Sequence, residues 1–254
     1  MSDTAPASNG LLAGKVAVIA GAGRGIGKVC AELFVREGAK VLAIDFSGAQ
    51  DGVAAELGPA CVAHHADVSV ESEIEGMYAR AIEVFGRVDA ALNVAATLAS
   101  RQGEVTAEEY DLMTATNLRG VLLLMKHAVR VMAPNGGGSI INFSTVGSLN
   151  TETMAPVTYS AAKAGVNSLT KSFAVLHGPQ NIRVNAIATG FTMTYNTATA
   201  QSDTLRELCS KAALGRAGTP QEQAEVAAFL ASDRSSFVTG TIIPVDGGWS
   251  ARLA

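Results

Sequence analysis

A chain of 254 residues with a formal net charge of -4, 48% hydrophobic and 17% charged side chains fills a globular core and lies far from the disordered regime. Its acidic balance supplies no basic footprint for nucleic acid or an anionic membrane surface. No apolar run reaches the ~18 residues of a membrane span; the longest, VLLLM at 121–125, belongs in a buried helix.

The N-terminal MSDTAPASNG is polar and lacks the charged and apolar blocks of a signal peptide, so 1–12 reads as a flexible tail and 13–254 as one domain. KVAVIA (15–20) has the β-branched, apolar character of a buried strand, and GRGIGKVCAELFVREG supplies the turn and helix after it. Further strands are VLAID (41–45), CVAHHAD (61–67), VDAALNVA (88–95), SIINFS (139–144), IRVNAIA (182–188) and TIIPVD (241–246). Helical stretches lie near 71–86, 106–133, 157–178 and 220–232. Strands spaced by such helices need crossover connections, which predicts an α/β, doubly wound Rossmann-type domain: a parallel sheet of about seven strands with helices on both faces. Residues 191–217 break the rhythm. Thr- and Ala-rich, weakly periodic and long for a connection, they read as a substrate lid or loop. The Leu, Met and Val ladder from 112 to 132 reads as core or subunit interface. Cys30, Cys61 and Cys209 lack metal-ligand spacing, and no pair among His64, His65, His127 and His177 has plausible metal geometry. Reduced thiols in a cytoplasmic protein without a metal site are expected.

The first strand runs into Gly21, Gly23, Arg24, Gly25, Ile26 and Gly27, a Gly-x-x-x-Gly-x-Gly turn on 21, 25 and 27. Such a turn lets the backbone approach closely, so that a pyrophosphate rests on the helix N-terminus. Asp45 ends the second strand, where a carboxylate accepts hydrogen bonds from the adenosine ribose and repels a 2′-phosphate, which favours NAD over NADP. Arg24 pulls the other way, being able to reach a 2′-phosphate. Tyr159 and Lys163 are four residues apart in a helix-prone stretch, and Ser144 lies fifteen residues before Tyr159. That spacing puts phenol and ammonium on one helix face. A neighbouring cation favours the phenolate, and bringing a tyrosine from ~10 to about 7 needs roughly 4 kcal/mol.

Taken together these motifs resemble the short-chain dehydrogenase/reductase family from about residue 11 to the end. The family's opening motif is matched by Gly21, Gly25 and Gly27, and its adenine-holding Asp-Val pair by Asp67 and Val68. Its catalytic asparagine corresponds to Asn117 and its Ser-x-x-Gly motif to Ser144–Gly147. Tyr159 and Lys163 complete the tetrad. Asn93 and Ala95 follow the fourth strand among the cofactor contacts. Gly190, Thr192 and Thr194 belong to the motif after the sixth strand, with Gly190 and Thr194 at the nicotinamide carboxamide. The closing TGTIIPVDGGW matches the family's last strand and turn. Ala20 replaces a usual threonine, Val94 and Ala96 stand in the family's Asn-Asn-Ala-Gly, and Thr189 replaces a proline. Ser144 and Tyr159 are also about two residues further apart than in many relatives, implying a longer loop over the site.

The resemblance implies an NAD-dependent oxidoreductase that interconverts a secondary alcohol and its ketone. Tyr159 would be the general acid/base, Lys163 would also bind the nicotinamide ribose, Ser144 would bond the substrate oxygen, and Asn117 would hold a water linking Lys163 to solvent. With Ser144 and Tyr159, the side chains of Leu98, Met154, Met193 and Tyr195 would line the substrate pocket and suit a compact hydrophobic or cyclic substrate. A homodimer or homotetramer through 106–133 and 157–178 is implied. The alternatives are an NADPH-linked 3-oxoacyl thioester reductase, which Asp45 opposes, and a non-catalytic dinucleotide-binding regulator, which the intact tetrad opposes.

Overall fold

Apolar side chains at every position of Val16–Ala20 (β1) are all buried, and the period of two divides them between two helical layers. The computed structural model describes residues 10–98, 105–150, 155–194 and 202–252. Ala17 and Ile19 join a core shared with Gly25–Arg36 (α1), Ala49–Leu57 (α2) and Pro220–Ala231 (α8). Val18 and Ala20 face Glu71–Phe85 (α3), Val121–Met132 (α5) and Val157–His177 (α6) across the sheet. The remaining strands are Lys40–Asp45 (β2), Cys61–His65 (β3), Ala90–Asn93 (β4), Gly138–Thr145 (β5), Ile182–Thr189 (β6) and Ile242–Val245 (β7). They form one seven-stranded sheet in the order β3-β2-β1-β4-β5-β6-β7, with every pairing parallel.

This is the doubly wound architecture expected from the sequence. Its consequence for function is the reversal of strand order between β1 and β4. The chain leaves these two neighbouring strands in opposite directions, which opens a crevice at their carboxyl ends. Gly21 closes the first turn there: its N–H and that of Ala22 both donate to the Ile44 carbonyl at 2.8 Å. The Ala20 carbonyl in turn accepts from the N–H groups of Val94 (3.0 Å) and Ala95 (2.8 Å). Far from this crevice, the Arg183 guanidinium donates to the carbonyls of Leu230 (2.8 Å) and Ser232 (3.1 Å), fastening the end of α8 to β6.

Two segments differ from expectation. Ser202–Lys211 (α7) is a helix inside the stretch read as an irregular lid. It is bound by an Asp203–Arg206 ion pair at 3.3 Å and by Lys211–Glu207 at 3.7 Å, and it buries Leu208. Leu205, Leu208 and Cys209 stand at i, i+3 and i+4, a repeat too short to stand out within the Thr- and Ala-rich stretch around it. The helical stretch at 106–133 is interrupted: Ala107–Thr114 (α4) passes through a π-type turn at Ala115–Gly120 before α5 begins. Single π turns insert one residue into the helical ladder and re-aim the side chains on it, and here the re-aimed side chain is Asn117.

The first turn admits no side chain at Gly21. Its φ is +88°, and an added Cβ would lie 2.6 Å from the Ala95 nitrogen and 2.7 Å from its Cα. A Gly21→Ala chain therefore carries both left-handed strain and a backbone clash. We expect it to lose about 3 kcal/mol or more of stability in urea unfolding, through those two named causes.

Candidate active site

The phosphate-facing end is built from the turn after β1. Arg24, with extended backbone, precedes α1 and makes no side-chain cap, and the first turn of α1 carries no acidic residue. Its N–H groups and the positive end of the helix dipole are thus left for an external anion. Gly27 packs directly against the Gly21 carbonyl, where a Cβ would collide, and a Cβ on Gly23 would meet the Asp45 carboxylate at 2.9 Å. Gly25 has a φ of +58°.

From this turn a cavity of about 480 Å³ runs over the carboxyl ends of β1, β2, β4 and β5. Gly21, Arg24, Gly25, Ile26, Gly27, Asp45, Asp67, Val68, Ala95, Leu98, Ser144, Tyr159, Lys163 and Thr194 all line it. Asp45 is held in place there: one carboxylate oxygen accepts the Gly23 N–H at 3.0 Å, and the other accepts the Ser47 N–H (3.0 Å) and hydroxyl (2.7 Å). Asp67 accepts the Ser69 N–H at 2.8 Å while its own N–H donates to Glu73 at 2.7 Å, so the loop after β3 is rigidly turned at the cavity wall.

At the opposite end, the first two turns of α6 bring Tyr159 and Lys163 together. The Lys163 ammonium lies 5.6 Å from the centre of the Tyr159 ring and donates to the Phe143 carbonyl at 2.8 Å. Ser144, one residue beyond that carbonyl on β5, donates to the Lys163 carbonyl at 3.3 Å. Burial pushes the Lys163 amine down to about 8 and the Tyr159 phenol up to about 12. The sequence led us to expect a phenol made acidic by the ammonium. In the chain by itself, desolvation of the phenolate prevails over that attraction.

Several predicted residues are placed beside the cavity without lining it. The Asn117 amide brackets the backbone of Thr97: its oxygen accepts the Thr97 N–H at 3.1 Å and its nitrogen donates to the Thr97 carbonyl at 2.9 Å, with the Met113 sulfur 3.7 Å from that nitrogen. It shapes the wall formed by the loop after β4. Asn93 turns beneath the floor and donates to Asn142 at 2.7 Å. Gly190 lies against Asp246, whose Cα would be 2.6 Å from an added Cβ. The Thr192 hydroxyl donates to the Gly190 carbonyl (3.1 Å) and accepts from Gln223 (3.2 Å). Met193 donates its N–H to the Gly218 carbonyl at 2.9 Å. Met154 and Tyr195 lie outside the described residues.

The cavity also holds side chains that sequence reasoning passed over. Phe46, 64% exposed, flanks it immediately after Asp45. Leu112, 52% exposed, lines it from α4, although the ladder it begins reads as core or interface. Thr116 lines it too, as does Thr189, which the sequence marked only as a departure from the family's proline. An aromatic directly after the acidic strand end was a usable signal for Phe46. Nothing in the sequence separated Leu112 from its buried neighbours.

The family model for enoyl-(acyl carrier protein) reductase matches residues 21–250 of this chain. The cis-4-hydroxycyclohexanecarboxylate dehydrogenase of Sinomonas cyclohexanicum is 38% identical over 251 residues, covering 93% of this chain and 97% of that protein. The 3-oxoacyl-(acyl-carrier-protein) reductase FabG of Thermotoga maritima is 35% identical, covering 93% and 98%. Among solved structures, levodione reductase superposes with a TM-score of 0.90 at 33% identity, covering 95% of this chain and 100% of its own. The chain belongs to the short-chain dehydrogenase/reductase family, and it is an oxidoreductase that depends on a nicotinamide dinucleotide, NAD(P).

The cradle fits such a cofactor: a glycine turn that a Cβ would fill, uncapped helix N–H groups and a fixed carboxylate line one cavity. Lys163 yields a test of how its charge is held. Below pH 8 the amine is protonated in both folded and unfolded chains, so the full desolvation cost, about 3 kcal/mol for a shift of this size, opposes folding. Between 8 and 10.5 the folded chain releases the proton first, and the cost fades as pH rises. Lys163→Met also loses the bond to Phe143, worth about 1 kcal/mol. We expect it to be more stable than the parent by about 2 kcal/mol at pH 7 and to lose most of that advantage by pH ~10, in paired urea titrations.

Proposed function

We propose that this protein is an NAD-dependent dehydrogenase interconverting a compact hydrophobic or cyclic secondary alcohol and its ketone. One observation carries this reading: Ser144, Tyr159 and Lys163 line the same cavity as the anion-receiving turn and Asp45. When bound there, the cofactor supplies the hydride acceptor or donor and, in oxidised form, a second positive charge. Gly21–Gly27 and the N-terminus of α1 would hold its pyrophosphate, Asp45 its adenosine ribose, Asp67 and Val68 the adenine side, and Thr194 the nicotinamide end.

The chain's own groups manage the proton. Tyr159 carries it at the phenol oxygen, protonated at rest because burial raises the phenol's pKa. Lys163 opposes that rise. From about 12, bringing the phenol near 7 takes roughly 7 kcal/mol, so the ammonium, 5.6 Å from the ring centre, would act together with the positive charge of the oxidised cofactor. The Ser144 hydroxyl bonds the substrate oxygen and supports the charge developing on it. Asn117 keeps the Thr97 peptide, and with it the wall of the site, in position. Leu98 and Leu112 give the mouth an apolar lining, and among the described liners Arg24 and Lys163 are the basic side chains.

The relatives named for a hydroxycyclohexanecarboxylate and for levodione support a cyclic substrate. A second reading, an NADPH-linked 3-oxoacyl thioester reductase, is favoured by the similarity to FabG and by Arg24 in the cavity. The carboxylate of Asp45, fixed where a 2′-phosphate would come, opposes it. We also propose a homo-oligomer formed through the α5 and α6 faces. Val157, Val175 and Leu176 on α6 are 75%, 79% and 67% exposed, and burying such side chains contributes about 1.5–3 kcal/mol each. The chain composition supports a cytoplasmic location.

Assays that follow NADH absorbance should show oxidation of cyclic secondary alcohols, with acetoacetyl-CoA and NADPH as the competing pair. Tyr159→Phe should lower kcat at least about 1,000-fold with little change in NADH binding. Asp45→Ser should shift the NAD/NADP preference in kcat/KM toward NADP by about ten-fold or more. Faster turnover of the thioester pair in the parent chain would overturn the first reading in favour of the second.

A further inference from the structure

Gln223 takes no part in the proton chemistry and does not line the cofactor cavity, yet it is 1% exposed near the start of α8. The rest of that helix's buried face is apolar: Ala224, Ala227, Ala228, Leu230 and Ala231. Burying an amide among such residues costs stability unless it is bonded. Its nitrogen donates to the Val245 carbonyl at 2.9 Å and to the Thr192 hydroxyl at 3.2 Å. Its oxygen is buried without a hydrogen-bond partner among the described residues. A carbonyl can only accept, so the bond to Val245 fixes which end of the amide points this way.

Both partners of that nitrogen grip Gly190. The Val245 carbonyl also accepts the Gly190 N–H at 3.1 Å, and the Thr192 hydroxyl donates to the Gly190 carbonyl at 3.1 Å. The gripped turn lies between Thr189 and Thr194, which both line the cavity. Thr194 faces the phosphate turn, 3.9 Å from where a Cβ on Gly25 would stand. Behind the turn, Ala224, Ala227 and Ala228 share a core with Ala31 and Phe34 of α1, the helix whose N-terminus would receive the pyrophosphate. One helix, α8, therefore backs both ends of the cofactor cradle.

We propose that Gln223 is a positioning residue for the nicotinamide end of the cofactor: it fixes the Gly190–Thr192 turn, and so the places of Thr189 and Thr194 in the cavity wall. An apolar side chain of the same length would fill the space and leave no oxygen unpaired. What the amide adds is its two N–H groups, and both are spent on this turn. The inference rests on the assignment of Thr194 to the nicotinamide end.

The test compares dissociation constants for NADH, read by fluorescence, and for ADP-ribose, which lacks the nicotinamide, read by calorimetry. Gln223→Met keeps the length and removes both N–H groups. NADH should bind about ten-fold more weakly, the worth of one to two ordinary hydrogen bonds, with ADP-ribose within about two-fold of the parent. Turnover of the alcohol should fall as well, because the nicotinamide is no longer held in line with the substrate. Thr192→Val breaks the same pin without altering α8 and should weaken NADH selectively too. The double variant should lose no more than about two-fold beyond the worse single change, since the two act through one contact. Thr192→Ser keeps the hydroxyl and should bind NADH as the parent does. Equal weakening of NADH and ADP-ribose in both Gln223→Met and Thr192→Val would overturn the proposal, because it marks a merely structural contact. So would NADH binding within about two-fold of the parent in both. Failure of the underlying assignment looks different: Thr194→Val would then leave the NADH constant as it is in the parent, and the proposal would fall with it.

Discussion

A positive charge buried at the carboxyl end of the sheet is the constraint around which the site is arranged. Lys163 is 1% exposed, and among the described residues its ammonium bonds a carbonyl, that of Phe143, not a carboxylate. The difference matters. A carboxylate would keep the lysine comfortable and cancel its field, whereas a neutral carbonyl satisfies one donor and leaves the charge to act on the phenol. To reach Phe143 from α6, the helix must lie close to the end of β5. The stretch around Lys163 is made of small residues that let its neighbours approach: Ala162 is buried, and a Cβ on Gly165 would press into Leu118 of the π turn at 2.7 Å. The same Ala-rich composition that reads as helix propensity is also a packing requirement.

This arrangement makes the site a store of unfavourable free energy. The ammonium is desolvated, the phenolate would be desolvated, and the first turn of α1 leaves its N–H groups uncapped. Each of these is a cost to the chain alone that a bound dinucleotide and substrate can offset, since anything that binds the native state stabilises it by mass action. The two core layers supply the excess. The strands between them supply their apolar centre, with Ile19, Ile44, Leu92, Ile141 and Ile187 fully buried, each contributing about 1.5–3 kcal/mol.

How much of this could be read from the residues depended on whether a signal had a period or a fixed spacing. The strands and long helices are periodic, and the order of the sheet follows from right-handed crossovers once they are recognised. The glycine turn and the Tyr159–Lys163 pair are local, so spacing was enough. Three things were not legible. Helix α7 has local ion pairs at i,i+3 and i,i+4, but it is also held by the C-terminal turn, where Arg252 donates to the Ser210 carbonyl at 2.8 Å and Lys211 approaches Trp249, long-range contacts with no local signature. Leu112 belongs by sequence to a core ladder and reaches the cavity because α4 ends in a π turn. The state of the phenol depends on desolvation, which a spacing argument does not contain.

The departures from the family's pattern become intelligible in the same terms. Ala20 lacks a hydroxyl that could brace the first turn, but its carbonyl accepts two N–H groups from the loop after β4, so backbone alone fixes that wall. Thr189, where a proline is usual, donates its hydroxyl to the Ser144 carbonyl at 3.2 Å. Proline has no group to make that bond. Ser144 is therefore restrained from two sides, at its carbonyl by Thr189 and at its hydroxyl by the Ser148 hydroxyl 2.9 Å away. A residue that must meet a developing charge gains from being fixed before the substrate arrives, because reorganisation at the moment of reaction is then avoided. The substitutions weaken the generic braces of the fold and place a new one on the side chain that faces the substrate oxygen.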